Sequence, residues 1–183
     1  MAKLIAKSAT EDLLPISIGT SNLRDATPDR MTAIAPWPGA TAAAARVLKA
    51  AGLGWPTSDR AVWRAGDVCV WSGRDQAFLL GASPPDGLSA HAALTDISDA
   101  WTALCLSGSD AASVLARLVA IDLSPRGFPH GASARTGLGH MMALIHHGAP
   151  GEYLIFVFRS MTAFAVHEIE VAMKAVAARG AVR

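Results

Sequence analysis

The stretch Phe128-Pro-His-Gly-Ala-Ser-Ala-Arg-Thr-Gly-Leu-Gly-His140 gathers polar and turn-forming residues in a half of the chain that is otherwise mostly aliphatic. Downstream, Phe158-Arg-Ser-Met161 and His167-Glu168 add an arginine, a histidine and a carboxylate. Burying such groups without hydrogen-bond partners is costly. We therefore expect these side chains to have specific partners in the folded chain.

Around this stretch, short apolar runs separated by turn residues predict an α+β fold made of two related halves, residues 31–94 and 95–183. In the first half, Ala44, Val47 and Leu48 fall at helical spacing. We predict a strand, a helix and three strands there, at 31–35, 41–51, 60–65, 68–72 and 76–81. The tight links between the last three favour antiparallel pairing.

The second half repeats this order. We predict a strand at 101–106, a helix over 111–118, hairpin strands at 135–146 and 152–158, and a long helix from Ser160. Helices and strands in this order indicate helices packed on largely antiparallel sheets. A short helix ending near Leu94 is expected to separate the halves.

Residues 1–30 show little periodicity around one short apolar patch, Leu13-Leu-Pro-Ile16. We interpret them as an N-terminal extension that lies on the surface or on a partner. Residues 31–183 are then a single globular domain.

Composition narrows the classes of function. Apolar residues make up 51% of the chain and charged residues 17%, which fits either an alanine-rich chain or a subunit with a large buried interface. The net charge of +1 argues against a nucleic-acid partner. The N-terminus lacks a secretory signal pattern and no apolar run is long enough to cross a membrane, so we expect a cytoplasmic protein without a membrane partner.

Cysteine and histidine positions favour structural roles. Cys69 and Cys105 lie in separate apolar runs and are expected to be small buried side chains. His146 and His147 are neighbours on a strand and should point to opposite faces. His140 is interpreted as a hydrogen-bonded strand histidine. We expect no metal site.

The last predicted helix carries one charged residue in its apolar stripe. Glu168 falls among Met161, Phe164, Ala165, Ile169, Ala172, Met173 and Val176 at about 100° per residue. A carboxylate facing a sheet requires a cation, so we predict a structural ion pair of Glu168 with Arg135 or Arg159. Alternatively, the two arginines could bind an anion.

The order Phe-Pro-x-Gly-x-x-Ala-Arg-Thr, Gly-His, Phe-Arg-Ser-Met and His-Glu resembles the gamma subunit of heterotetrameric sarcosine oxidase. The resemblance implies a non-catalytic subunit with alpha, beta and delta partners. It also implies that those partners hold FAD, FMN, NAD and tetrahydrofolate and oxidise sarcosine to glycine with release of hydrogen peroxide. The implied fold is that of the aminomethyltransferase folate-binding domain, found in the glycine cleavage T protein.

Asp122 is the residue that bears on folate. In aminomethyltransferases a Thr-Asn-Asp run supplies the folate-contacting aspartate, whereas this chain has Ala120-Ile121-Asp122. Asp122 and Arg135 are the candidates for a folate-like or anion site, and the rival function is a free-standing folate or one-carbon-binding module. Asp122 also fits a plain turn. Gly137-Leu-Gly139 lacks the third glycine of a dinucleotide motif, so no flavin or NAD is expected in this chain.

Overall fold

The computed structural model describes residues 7–64 and 66–180. Two antiparallel sheets stack face to face in it, with helices on the two outer faces. The expected mixture of helices and antiparallel sheets is confirmed.

Six strands form the first sheet, in the spatial order β1-β2-β8-β11-β10-β9. Their bounds are β1 Ile16–Ile18, β2 Ser21–Asp25, β8 Trp101–Gly108, β9 Ser133–Leu138, β10 Met141–Ala149 and β11 Glu152–Phe158.

Five strands form the second sheet, in the order β4-β5-β6-β3-β7. Their bounds are β3 Met31–Pro36, β4 Ala61–Arg64, β5 Asp67–Gly73, β6 Gln76–Leu80 and β7 Ala92–Asp96.

Three α-helices of the described residues cover the sheets. α1 spans Thr41–Ala50 and lies on the five-stranded sheet, while α2, Ala111–Leu115, and α3, Thr162–Gly180, lie on the six-stranded sheet. Short 3-10 turns occupy Leu88–Ala90 and Arg159–Met161.

The core has three apolar layers, because each sheet is buried on both faces. Leu104, Ile155 and Ile169 belong to the layer between the six-stranded sheet and helices α2 and α3. Leu144 and Phe156 belong to the layer between the sheets. A third layer lies under α1. Strands covered on both faces require apolar residues at successive positions, which contributes to the high apolar fraction of the chain.

The segment 16–25 corrects our view of the N-terminus. We expected residues 1–30 to be a surface extension, but β1 and β2 extend the six-stranded sheet and Leu23 is fully buried. Gly108 allows β2 to pair with β8, because a Cβ at position 108 would lie 1.8 Å from the Thr20 carbonyl oxygen. The expected features of residues 1–6 lie outside the described residues.

Two further segments differ from the sequence prediction. The single strand expected at 135–146 is two antiparallel strands, β9 and β10, because the chain reverses at Gly139, whose φ is +55°. The helix expected to end near Leu94 is a 3-10 turn followed by β7, which pairs with β3.

Candidate functional site

Asp122 lies in a turn after α2, where local groups already occupy its carboxylate. Oδ1 accepts the backbone N–H of Ser124 at 2.9 Å, and Oδ2 accepts the Ser124 hydroxyl at 3.0 Å. The bond from the Ser124 N–H lowers the pKa of Asp122. Gly127 packs so closely that an added Cβ would lie 2.3 Å from Oδ2. The geometry is that of a turn-forming aspartate.

Arg135 does not join Asp122 in one site. It lies opposite Leu144 in the β9–β10 ladder and therefore shares the face that meets the five-stranded sheet. Its guanidinium donates to the Ser72 carbonyl oxygen at 3.4 Å, beside Gly73. Within residues 7–64 and 66–180, no hydrogen bond links Arg135 to Asp122.

Glu168 forms no ion pair with the described residues, contrary to our prediction. α3 packs on the opposite face of the six-stranded sheet from Arg135, so the sheet separates the two side chains. Glu168 is half-buried, near the β9–β10 turn at Gly139. Arg159 donates instead to the carbonyl oxygen of Lys7.

The buried face of α3 is rotated slightly from the predicted stripe. Val166 is buried, whereas Phe164 is 36% exposed. Glu168 is therefore at the margin of the apolar stripe. Glu170, partly buried like Glu168, pairs with Lys174 at 2.6 Å.

A surface cleft of about 620 Å³ lies where β11 meets α3. Phe158, 44% exposed, and Arg159 line it together with Asp99 and Ser160. The ring of Phe158 rests on Trp101, with centroids 4.4 Å apart. The Phe-Arg-Ser-Met motif thus forms an exposed aromatic and polar surface.

The adjacent histidines point to opposite faces of β10, as predicted. His146 lies on the side of Trp63, whereas His147 stacks on Tyr153 with ring centroids 4.7 Å apart. Burial lowers the pKa of His146 to about 4. His140 differs from our interpretation, since it lies exposed in the β9–β10 turn.

Around His147, three separate segments line a surface-open cavity of about 370 Å³. His130, His147 and Tyr153 line it with three prolines. Sequence reasoning missed this grouping, although His130 lies within the Phe128-to-His140 stretch. The predicted hairpin could have indicated part of it, because residues on its two strands face each other in pairs and His147 is directly opposite Tyr153.

Cys69 and Cys105 are free and buried, as predicted. Burial raises the pKa of each thiol to about 12, so neither is a reactive thiolate at neutral pH. The described residues hold no cluster of three or more histidine, cysteine or acidic side chains suited to a metal ion. None of the helices in those same ranges has the length and apolar character needed to cross a membrane.

Comparison with solved structures finds a likeness over almost the whole chain. A chain of heterotetrameric sarcosine oxidase from Corynebacterium sp. U-96, in complex with pyrrole 2-carboxylate, matches with a TM-score of 0.79 and 23% sequence identity. The fold is that of a sarcosine oxidase chain. The match covers 94% of this chain and 96% of the other, so the two have nearly equal lengths. No protein-family model and no curated protein matches the sequence.

The likeness confirms the resemblance to sarcosine oxidase at the level of the fold. The structural match covers the sheets and helices of both halves of the chain, whereas the sequence motifs lie mainly in the second half. The neighbour is an oxidoreductase built from several subunits, so its fold functions within a protein assembly.

Proposed function

We propose that this chain is the non-catalytic gamma subunit of a heterotetrameric sarcosine oxidase. The observation that carries the proposal is the match over nearly the full length of a sarcosine oxidase chain of the same size. The order of the motifs from Phe128 to Glu168 supports it independently. The implied reaction is oxidative demethylation of sarcosine to glycine with hydrogen peroxide, the one-carbon unit passing to tetrahydrofolate.

In this proposal the alpha, beta and delta subunits hold FAD, FMN, NAD and tetrahydrofolate, and this chain buttresses them. The side chains that could have served folate have other local roles: Asp122 closes a turn, and Arg135 bridges to the second sheet. Nothing in their geometry favours the rival folate-binding module. The exposed cleft at Phe158 and Arg159 is the first surface to test for subunit contact.

Purification of the chain from its native cells tests the proposal. A tagged chain should bring down flavoprotein subunits, and the complex should produce hydrogen peroxide when sarcosine is added. The chain purified alone should be colourless and inactive. Sarcosine turnover by the lone polypeptide with its own flavin would contradict a non-catalytic role. A tagged chain that recovers no flavoprotein would contradict the subunit role.

A further inference from the structure

A surface cleft beside Trp37 lies at the end of the five-stranded sheet where β3 leads into α1. We propose that this Trp37 cleft is a binding site for a trimethylammonium group, such as that of choline. The inference is independent of the proposed function. The cleft has a volume of about 360 Å³, within the range of small-molecule sites, and is lined by Pro36, Trp37, Pro38, Gly39, Thr41 and Asp75.

The first argument is that Trp37 is exposed although its backbone is firmly held. Its N–H donates to the His91 carbonyl oxygen at 3.0 Å, and its own carbonyl oxygen accepts the Ala40 N–H at 2.8 Å. Pro38 and Gly39 are the central residues of this turn, and Gly39 has a φ of +77°, as in a type II turn. The turn therefore presents an indole that is 49% exposed on an ordered backbone. Such a side chain loses little conformational freedom when a ligand binds.

The second argument is an available carboxylate. Asp75 lies in the β5–β6 turn and is the only charged side chain among the described residues that line the cleft. Its side chain is 66% exposed and accepts no hydrogen bond from residues 7–64 and 66–180. Its contact with Arg74, 3.9 Å between Nε and Oδ2, is a weak one between two exposed groups. The carboxylate is thus available to a ligand cation.

The third argument concerns the chemistry of the cation. Cations are attracted to the face of an indole ring, and quaternary ammonium groups are the ligands that aromatic sites typically recognise. Their methyl groups can pack on the apolar walls at Pro36 and Pro38, and they have no N–H groups that would need acceptors. A primary ammonium or a metal ion would give up strongly bound water for a single carboxylate. The walls and the charge of the cleft therefore fit a trimethylammonium group.

A neighbouring cleft of about 600 Å³ shares Asp75 but differs in charge. Trp55 and Trp71 give it aromatic walls, but Arg74 lines it as well. The guanidinium would repel a cation bound there. The Trp37 cleft, which Arg74 does not line, is therefore the cation site.

The test uses the full chain with choline and 3,3-dimethyl-1-butanol, the uncharged isostere of choline. Each probe gives one strong methyl signal in NMR, so saturation transfer measures both affinities in the same sample. Choline should bind saturably and about three- to thirtyfold more tightly than the alcohol, the range expected for an exposed cation–π contact plus an exposed ion pair. Added sodium chloride should weaken the binding of choline and leave that of the alcohol unchanged.

Three variants separate recognition from folding. Trp37→Leu keeps an apolar side chain without the indole and should weaken choline binding about two- to fivefold. Trp63→Leu makes the same change at another half-exposed tryptophan, outside the cleft, and should leave choline binding unchanged. Asp75→Asn removes the charge but keeps a residue type that tolerates the φ of +51°, so the turn is preserved and choline binding should fall about two- to fivefold.

Phosphatidylcholine vesicles distinguish a lipid headgroup from a small molecule as the source of the trimethylammonium group. Vesicle binding that choline displaces would assign the site to the headgroup, whereas choline binding without vesicle binding would assign it to a small molecule. Equal affinity for choline and the alcohol, no saturable choline signal, or a Trp37→Leu variant that binds choline as the wild type does would each overturn the proposal.

Discussion

Full burial of His146 makes the stability of this chain depend on pH. Its Nδ1–H donates to the Ala132 carbonyl oxygen at 3.0 Å, while Nε2 has no partner among the described residues. Burial lowers the pKa of His146 from 6.5 to about 4. Between pH 6.5 and about 4, the His146 ring is protonated in the unfolded chain but neutral in the folded chain. The free energy of unfolding therefore falls as the pH drops from 6.5 to about 4. The loss should reach about 3 kcal/mol.

Urea denaturation across that window measures the effect. His146→Leu removes the titrating ring, so its free energy of unfolding should change less with pH than that of the wild type. His140→Gln, at an exposed turn position, is the matched control and should keep the wild-type slope. Equal slopes for His146→Leu and wild type would show that His146 is not the group responsible.

Glu168 illustrates what a helical repeat can and cannot predict. The 3.6-residue period correctly identified most of the buried face of α3, but Glu168 lies at its margin. One of the two expected partners, Arg135, was excluded by strand parity. That parity depends on the turn at Gly139, which the prediction of one continuous strand over 135–146 overlooked although Gly137 and Gly139 lie within it.

Glu168→Ala should therefore cost less than about 1 kcal/mol of unfolding free energy, as is usual for a side chain outside the core. Ile169→Ala, at the fully buried neighbouring position, should cost about 2–5 kcal/mol. Thermal or urea denaturation of both variants makes the comparison. A loss for Glu168→Ala as large as that for Ile169→Ala would mean that the carboxylate has a buried partner.

At the scale of elements, helices and strands with a strong local sequence pattern were predicted well, and those with a weak pattern were missed. β3 and α1 follow from an apolar run and a clear helical repeat, and their observed bounds agree to within a residue. β1 and β2 have three and five residues, too few for an alternating pattern to stand out. Their place in the sheet depends on β8, a partner distant in the sequence.

The β1–β2 hairpin should therefore contribute to the free energy of unfolding, because it forms part of the core. Leu23→Ala is expected to lower the free energy of unfolding by about 2–5 kcal/mol, because Leu23 is fully buried beneath α3. Asn22→Ala, one residue earlier and exposed, should cost under about 1 kcal/mol. Similar small losses for both in urea denaturation would mean that residues 16–25 are a dispensable surface segment.

At the scale of the whole molecule, the sequence predicted the class of fold but not the stacking of the sheets. Both sheets are buried on two faces, and their edges are bonded where residues 59–61 meet residues 131–133. Contacts between segments so distant in the chain are not encoded in local periodicity. The cavity was missed for the same reason, since its three segments converge only after both sheets have formed.

Assembly is the last property to test, through the cleft at the start of α3. Phe158 is 44% exposed and lines this cleft beside Arg159 and Ser160, so a partner seated in the cleft would contact its ring. Phe158→Ser should weaken association with the proposed partner subunits at least about tenfold, since buried aromatic anchors dominate such interfaces. Trp37→Ser, at a similarly exposed site beside α1, is the control and should bind normally. Thermal denaturation verifies that both variants fold. Association unaffected by Phe158→Ser in a quantitative binding assay would exclude this cleft as the contact surface, because a folded chain lacking its most prominent aromatic residue there would still assemble.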